Sequence, residues 1–257
     1  MKKIMALLLS LLVASCSSCA PSIWGHANTI DEVVVQGLMR QTVEVHVGIV
    51  YVDQSVGRPR ASASLGSGFV VAYDPDRNES LVVTAGHVCR ARPTVKVGEG
   101  DRKRTVPVMM QMYSVQNAEG DELKARTILV DLAHDVCIVA TTGWAGRTAR
   151  LSADMPPLGA RLVSVGSPDG SFGKWRVDVL EGRFSGLLLF GEERALFMQT
   201  TVPACGGASG SAVYYMGAVV GLVSRANTDF PVQSWIVPGK FIVEDVRIAL
   251  GLWKKGD

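Results

Sequence analysis

An excess of charge of one sign is missing from this chain. Lys and Arg total 26 against 24 Asp and Glu, a formal net charge of +2. A nucleic-acid-binding domain carries a clear basic excess, so no nucleic-acid partner is expected. Cysteine is scarce, with five in 257 residues. That is too few for a disulfide scaffold, and no Cys-x-x-Cys has a matching second pair, so no metal site is expected. Long apolar runs are missing too. The longest, Ile4–Val13, is broken only by Ser10, and its roughly ten residues fall short of the roughly 20 a spanning helix needs. There is no repeat of solenoid length and no low-complexity linker. With 47% hydrophobic and 19% charged residues, bulk disorder is excluded. Glycine is plentiful, at 27 residues, and it is the residue that permits tight turns.

Lys2 and Lys3 followed by the short apolar run read as an export signal over residues 1–15. Val13-Ala14-Ser15-Cys16 resembles the bacterial lipoprotein box, which implies cleavage before Cys16, lipidation of its thiol and attachment to a membrane. The alternative is an ordinary signal cut between Ala20 and Ala27. Either way the chain is expected in an oxidising compartment, periplasmic or elsewhere in the cell envelope when lipid-anchored, otherwise secreted. Without Lys2 and Lys3 the mature chain is formally neutral. Residues 16–28 read as a flexible leader.

Thr29–Met39 reads as a short helix, with Thr29 as N-cap, Glu32 completing a capping box, and Val33, Val34 and Leu38 as its apolar face. Val43, Val45, Val47 and Ile49 alternate with Glu44, His46 and Gly48, the period of a half-buried strand. Short β-branched runs then alternate with turn clusters as far as Trp235. They are Gly68–Tyr73, Leu81–Thr84, Thr127–Val130, Val136–Ala140, Arg161–Val165, Trp175–Leu180, Ala195–Gln199, Ala212–Tyr215 and Ala218–Ser224. Many short strands with frequent turns predict an all-β sandwich or barrel. Lys240–Trp253 predicts a closing amphipathic helix, with Phe241, Ile242, Asp245, Val246, Ile248, Ala249 and Leu252 on its inner face.

Three local patterns carry chemistry. His87 follows the apolar run Leu81–Thr84 and the small pair Ala85-Gly86. Asp131 and Asp135 both precede apolar segments. Ser209 sits in Gly206-Gly207-Ala208-Ser209-Gly210. A serine hydroxyl needs a base to become nucleophilic, and histidine has a suitable ordinary pKa. A buried carboxylate holds the imidazole tautomer, and glycines let successive N–H groups converge on an oxyanion. For the acid, Asp135 is preferred to Asp131, because Val136–Ala140 continues without a break while His134-Asp135 interrupts any strand after Asp131. His46 reads as a surface residue, His134 as a turn residue and His26 as part of the leader.

The order His, Asp, Ser in these contexts resembles the chymotrypsin-like serine peptidases, most closely the HtrA/Deg group. Thr84-Ala85-Gly86-His87-Val88, Asp135-Val136-Cys137-Ile138-Val139, Val163–Pro168, Gln199-Thr200 and Gly207-Ala208-Ser209-Gly210 stand where that group has its motifs. The resemblance spans residues 29–252. It implies an all-β double barrel with a short helix at each end: residues 29–148 carry His87 and Asp135, residues 149–240 carry Ser209, and residues 241–257 form the last helix and tail.

It also implies a serine endopeptidase acting on protein or peptide substrates, without metal or organic cofactor. His87, Asp135 and Ser209 are its expected catalytic residues, and the N–H groups of Gly207 and Ser209 its oxyanion hole. Pro203, Ala204, Ser224, Arg225 and Ala226 are expected near the substrate. Without an acid at the pocket base, an apolar residue of small to medium size is expected before the scissile bond. Strand Ala218–Ser224 is expected to pair with the substrate backbone.

Ala208 departs from the usual Asn or Asp, and the PDZ domain that often follows in the group is not expected. Cys205 in Ala204-Cys205-Gly206-Gly207 resembles a viral cysteine nucleophile, but its second oxyanion donor would be Pro203, which has no N–H. Ser211 is a weaker candidate, since Ala212 breaks the motif. Cys89 and Cys137 each lie two residues beyond His87 and Asp135; a bridge between them and chance placement remain open alternatives. The other functional reading is a catalytically weak or inactive fold that binds peptides, or acts like a chaperone, in the envelope.

Overall fold

The computed structural model describes residues 32–255 apart from 54–56, 98–102, 169–176, 192–194 and 228–232. The expected export signal, Cys16, Thr29 and the expected strand start at Trp175 lie outside the described residues.

Helix α1, Glu32–Met39, leads into strands β1 (Thr42–Asp53), β2 (Arg58–Asp74) and β3 (Glu79–Ala85). A single turn, α2 (Gly86–Cys89), follows β3. Then come β4 (Thr94–Val97), β5 (Arg104–Gln116), β6 (Glu122–Asp131) and β7 (Val136–Thr142). The first sheet runs β1-β2-β3-β7-β6-β5-β4, and β1 also pairs β5, which closes six strands into a barrel with β4 at its rim. The second barrel is built from β8 (Arg161–Gly166), β9 (Asp178–Phe190), β10 (Ala195–Thr200), β11 (Ala212–Tyr215), β12 (Ala218–Ala226) and β13 (Ser234–Pro238). It closes in the order β10-β13-β12-β11-β8-β9. Helix α3, Gly239–Lys255, packs back on β6, β7, β12 and β13. Among the described residues no helix is long and apolar enough to cross a membrane.

The all-β double barrel with a helix at each end is therefore the fold of this chain. Val43, Val45, Val47, Phe69, Val70, Leu81–Val83 and Val136–Ala140 fill the first core. Leu162, Met198, Val213 and Ile236 lie at the centre of the second. Closure removes sheet edges.

Some sequence expectations are corrected. Val34 is 48% exposed, and Leu38 alone of the expected α1 trio is buried among the residues described by side chain. On α3, Ile248 faces solvent. Glu44, placed on a polar strand face, is buried, because Ser167 of the second barrel covers it and donates its hydroxyl to Glu44 Oε2 at 3.3 Å. His46 is only partly exposed beside it. The outer half of β2 and all of β4 and β5 escaped the sequence reading. The polar or exposed residues of β2 and β5 pair because β1 templates a neighbour on each side, and β4 pairs along β5.

Ala218–Ser224 is not an open strand. Its first half pairs β11 on one side, with Ala218↔Tyr215 and Leu222↔Ala212, and Gly221–Val223 pair β13 on the other. Barrel closure consumes that edge, and only Ser224–Ala226 lie beyond the β11 pairing.

Candidate active site

The apolar strands β3 and β7 pair antiparallel, with Thr84↔Cys137 and Ala85↔Val136. This register sets the start of α2 beside the turn that precedes β7. Gly86 is required there: a Cβ would come 2.8 Å from the Asp131 carbonyl and 2.9 Å from the Asp135 backbone. Asp135 closes the turn at φ +58°. This is left-handed backbone, which a short polar side chain tolerates better than most. Its carboxylate thereby reaches His87. Oδ1 accepts the His87 backbone N–H at 2.7 Å, and both oxygens lie 3.0 Å from Nδ1. Cys89 and Cys137 form a disulfide across the same two segments.

Asp135 is buried, whereas His87 is partly exposed. Burial pushes the Asp135 carboxyl up. The His87 ring and its charge, the Ser224 hydroxyl and the His87 backbone N–H outweigh burial and hold it below the ordinary carboxylate value. Ser224 Oγ, itself buried, donates to Asp135 Oδ2.

On the other side of the imidazole, His87 Nε2 lies 2.9 Å from Ser209 Oγ. Ser209 arrives from the second barrel on a tight loop. Within it the Ala208 N–H donates to the Cys205 carbonyl at 3.1 Å, Gly210 N–H to Val223 at 2.7 Å and Ser211 N–H to Ala208 at 2.9 Å. The N–H groups of Gly207 and Ser209 have no acceptor among the described residues. Gly207 has φ +84°, a conformation glycine adopts freely. The chain therefore presents an Asp–His–Ser relay beside two unused backbone donors. Such an arrangement can deprotonate a hydroxyl and bind a developing oxyanion.

Residues 66–222 match the trypsin-like peptidase domain. The chain belongs to that family. It is also similar to the probable periplasmic serine endoprotease DegP-like of Ectopseudomonas mendocina (strain ymp), at 28% identity over 174 residues. That alignment covers 67% of this chain and 31% of the relative, so the chain spans about a third of the relative's length.

Within this trypsin-like domain the other expected site residues fall into different environments. Asp131 turns its carboxylate to His134 Nδ1, at 2.7 Å. Cys205 is half-buried and outside the disulfide. Ser211 is buried. Ala204 is buried in the second core, while Pro203 is half-buried. Ser224 directs its hydroxyl to Asp135, so the sequence reading missed its role beside the acid. Arg225 is exposed and lies over the Phe190 ring, 5.1 Å from its centroid. It lines a cleft of about 480 Å³ with His87, Arg90, Leu132, Phe190 and Phe197. Ala226 is half-buried against the second core.

Ser67 is the residue that sequence reasoning passed over. Its N–H donates to the Ser209 carbonyl at 2.7 Å and its hydroxyl to the Gly207 carbonyl at 2.8 Å. The available signal was its position in Gly66-Ser67-Gly68, where small neighbours allow close backbone approach. A Cβ at Gly66 would lie 2.9 Å from Val88 and 3.1 Å from the Ser209 carbonyl.

Proposed function

We propose that this chain is a serine endopeptidase that cleaves peptide bonds through an acyl-enzyme. His87 takes the proton from Ser209 Oγ as the hydroxyl attacks the scissile carbonyl. Asp135 holds the imidazole with Nδ1 protonated and stabilises the imidazolium. The N–H groups of Gly207 and Ser209 receive the oxyanion. His87 then gives its proton to the leaving amine, and water repeats the sequence to release the acid. The unbroken hydrogen-bond line from Ser209 through His87 to Asp135 carries this reading.

The substrate is a protein or peptide lying in the cleft between Leu132 and Arg225. Its extended backbone pairs with Ser224–Ala226, beyond the β11 pairing. An apolar residue precedes the scissile bond. Residues 29–148 and 149–240 are the two halves of the catalytic unit, followed by the terminal helix from 241. Residues 1–15 direct export, residues 16–28 are the leader, and lipidated Cys16 anchors the protein in the envelope.

The test is labelling of the mature protein by a fluorophosphonate probe. Wild type is labelled and Ser209→Ala is not. Equal labelling of both, or of neither, rejects Ser209 as an activated nucleophile, and labelling of neither favours a peptide-binding protein instead. A peptide-library profile dominated by Arg or Lys before the cleaved bond rejects the specificity. Detergent-phase partitioning that survives Cys16→Ser rejects the anchor.

A further inference from the structure

A second acid–histidine group lies on the turn before Asp135, and the chemistry above does not use it. Asp131 Oδ1 accepts the N–H groups of Ala133 at 2.8 Å and His134 at 3.2 Å, and Oδ2 lies 2.7 Å from His134 Nδ1. These bonds prearrange both side chains. Helix α3 closes over them from the opposite end of the chain. Phe241 stacks on the His134 ring with centroids 4.0 Å apart. Asp245, one turn further along the same helix face, approaches the pair. One ligand atom from each of Asp131, His134 and Asp245 lies within 4.8 Å of the others.

Asp245 supplies the independent observation. It is only 5% exposed, and its Oδ2 is inaccessible to solvent with no hydrogen-bond partner among the described residues. An unpaired buried carboxylate oxygen is costly, and a bound cation is a partner that offsets that cost.

We propose that Asp131, His134 and Asp245 bind a divalent transition-metal ion of the zinc type. One imidazole nitrogen and two carboxylate oxygens make a borderline donor set suited to Zn²⁺, with water as the fourth ligand. The two carboxylates balance the ion's charge. Tetrahedral coordination at about 2.1 Å places donors roughly 3.4 Å apart. The site closes by drawing Asp245 inward while the Asp131–His134 contact opens slightly. Its ligands come from a turn and a distant helix, so the familiar zinc spacings do not reveal it. Ion binding clips α3 to the turn from which Asp135 reaches His87.

The experiment uses chelator-treated mature protein titrated with Zn²⁺ alone by calorimetry, with thermal unfolding in parallel. Wild type is expected to bind one ion per chain. Zinc at 100 times Kd is expected to raise Tm by about 5–10 °C. Asp245→Asn and His134→Phe, which keeps the stack on Phe241, are each expected to weaken binding at least tenfold and to abolish the Tm rise. His87→Ala is expected to bind as wild type does. No binding by wild type, or unchanged affinity in both ligand variants, overturns the site. Co²⁺ provides a readout without substitution. The largest paramagnetic shift among the histidine ring protons falls on His134 if the site is correct, and on His87 if the ion belongs to the peptidase relay.

Discussion

The hydroxyl of Ser67 donates to the carbonyl of Gly207 at 2.8 Å, across the boundary between the two barrels. Ser67 Oγ also accepts the Ser167 N–H at 2.8 Å. Gly210 fits against the same segment only because it lacks a side chain: a Cβ would lie 2.1 Å from the Ser67 carbonyl. The loop that carries Ser209 is thus moulded on the first barrel, which supplies His87 and Asp135.

Ser67→Ala leaves the Gly207 carbonyl and the Ser167 N–H without that partner. The expected loss is about 1–3 kcal/mol of stability, since buried polar groups become unsatisfied. The oxyanion donors also lose registration, with kcat/KM falling about tenfold while KM changes little. Peptide hydrolysis kinetics with parallel calorimetry measures both. Unchanged kcat in a folded variant rejects Ser67 as a positioning residue.

Asp135→Asn keeps the shape of the acid but replaces one acceptor oxygen with a donor. His87 is then held in the wrong tautomer, and kcat should fall by about 10⁴. The wild-type carboxyl titrates below its unfolded value. Its contribution to stability is therefore present above the unfolded pKa and is lost as pH falls through the lower folded value. Acid unfolding followed from pH 5 downward should be steeper in wild type than in Asp135→Asn.

The bridge between Cys89 and Cys137 has a sequence separation of 48. Replacing both by Ala should cost about 4 kcal/mol on loop-closure grounds, lowering Tm by about 8–16 °C. Asp135 still binds the His87 backbone N–H, so kcat at 25 °C should stay within about threefold, a change of under 1 kcal/mol. Both sulfur-bearing residues are buried, so mild reductant should act slowly on the folded protein. Fast inactivation by reductant would contradict this.

His46 Nε2 lies 3.4 Å from buried Glu44, with Glu122 at 4.0 Å from Nδ1. The Glu44 carboxylate beside it raises the imidazole above its ordinary value, against burial, with smaller help from the charge of Glu122. A raised histidine stabilises the fold fully below its unfolded pKa of 6.5 and loses that contribution as pH rises through the folded value. Tm measured upward from pH 6 should fall in wild type as the imidazole loses its proton. His46→Gln should flatten that slope.

The residues at the predicted peptidase centre were legible because each stands in a local pattern. His87 ends a continuous apolar strand, Asp135 begins one, and Ser209 is framed by glycines with φ +84° and +91°. Strands β4 and β5 were not legible. Met109, Met110 and Met112 are exposed and break the alternation, and the segment is held by ladder bonds to β1 and β6. Ser224 was placed near the substrate because family spacing marks a position, not the direction of a side chain.

By itself the sequence determined the all-β class, the terminal helix and the three short patterns, because strand alternation and turn chemistry are written in neighbouring residues. Only the tertiary structure gave Asp131 a histidine of its own. Asp131 contacts His134, and Asp135 contacts His87. It alone joined Ser67 to the Ser209 loop and brought Asp245 to the Asp131 turn. The reason is physical: those contacts depend on barrel closure and strand register, which arise from the summed burial of many distant residues.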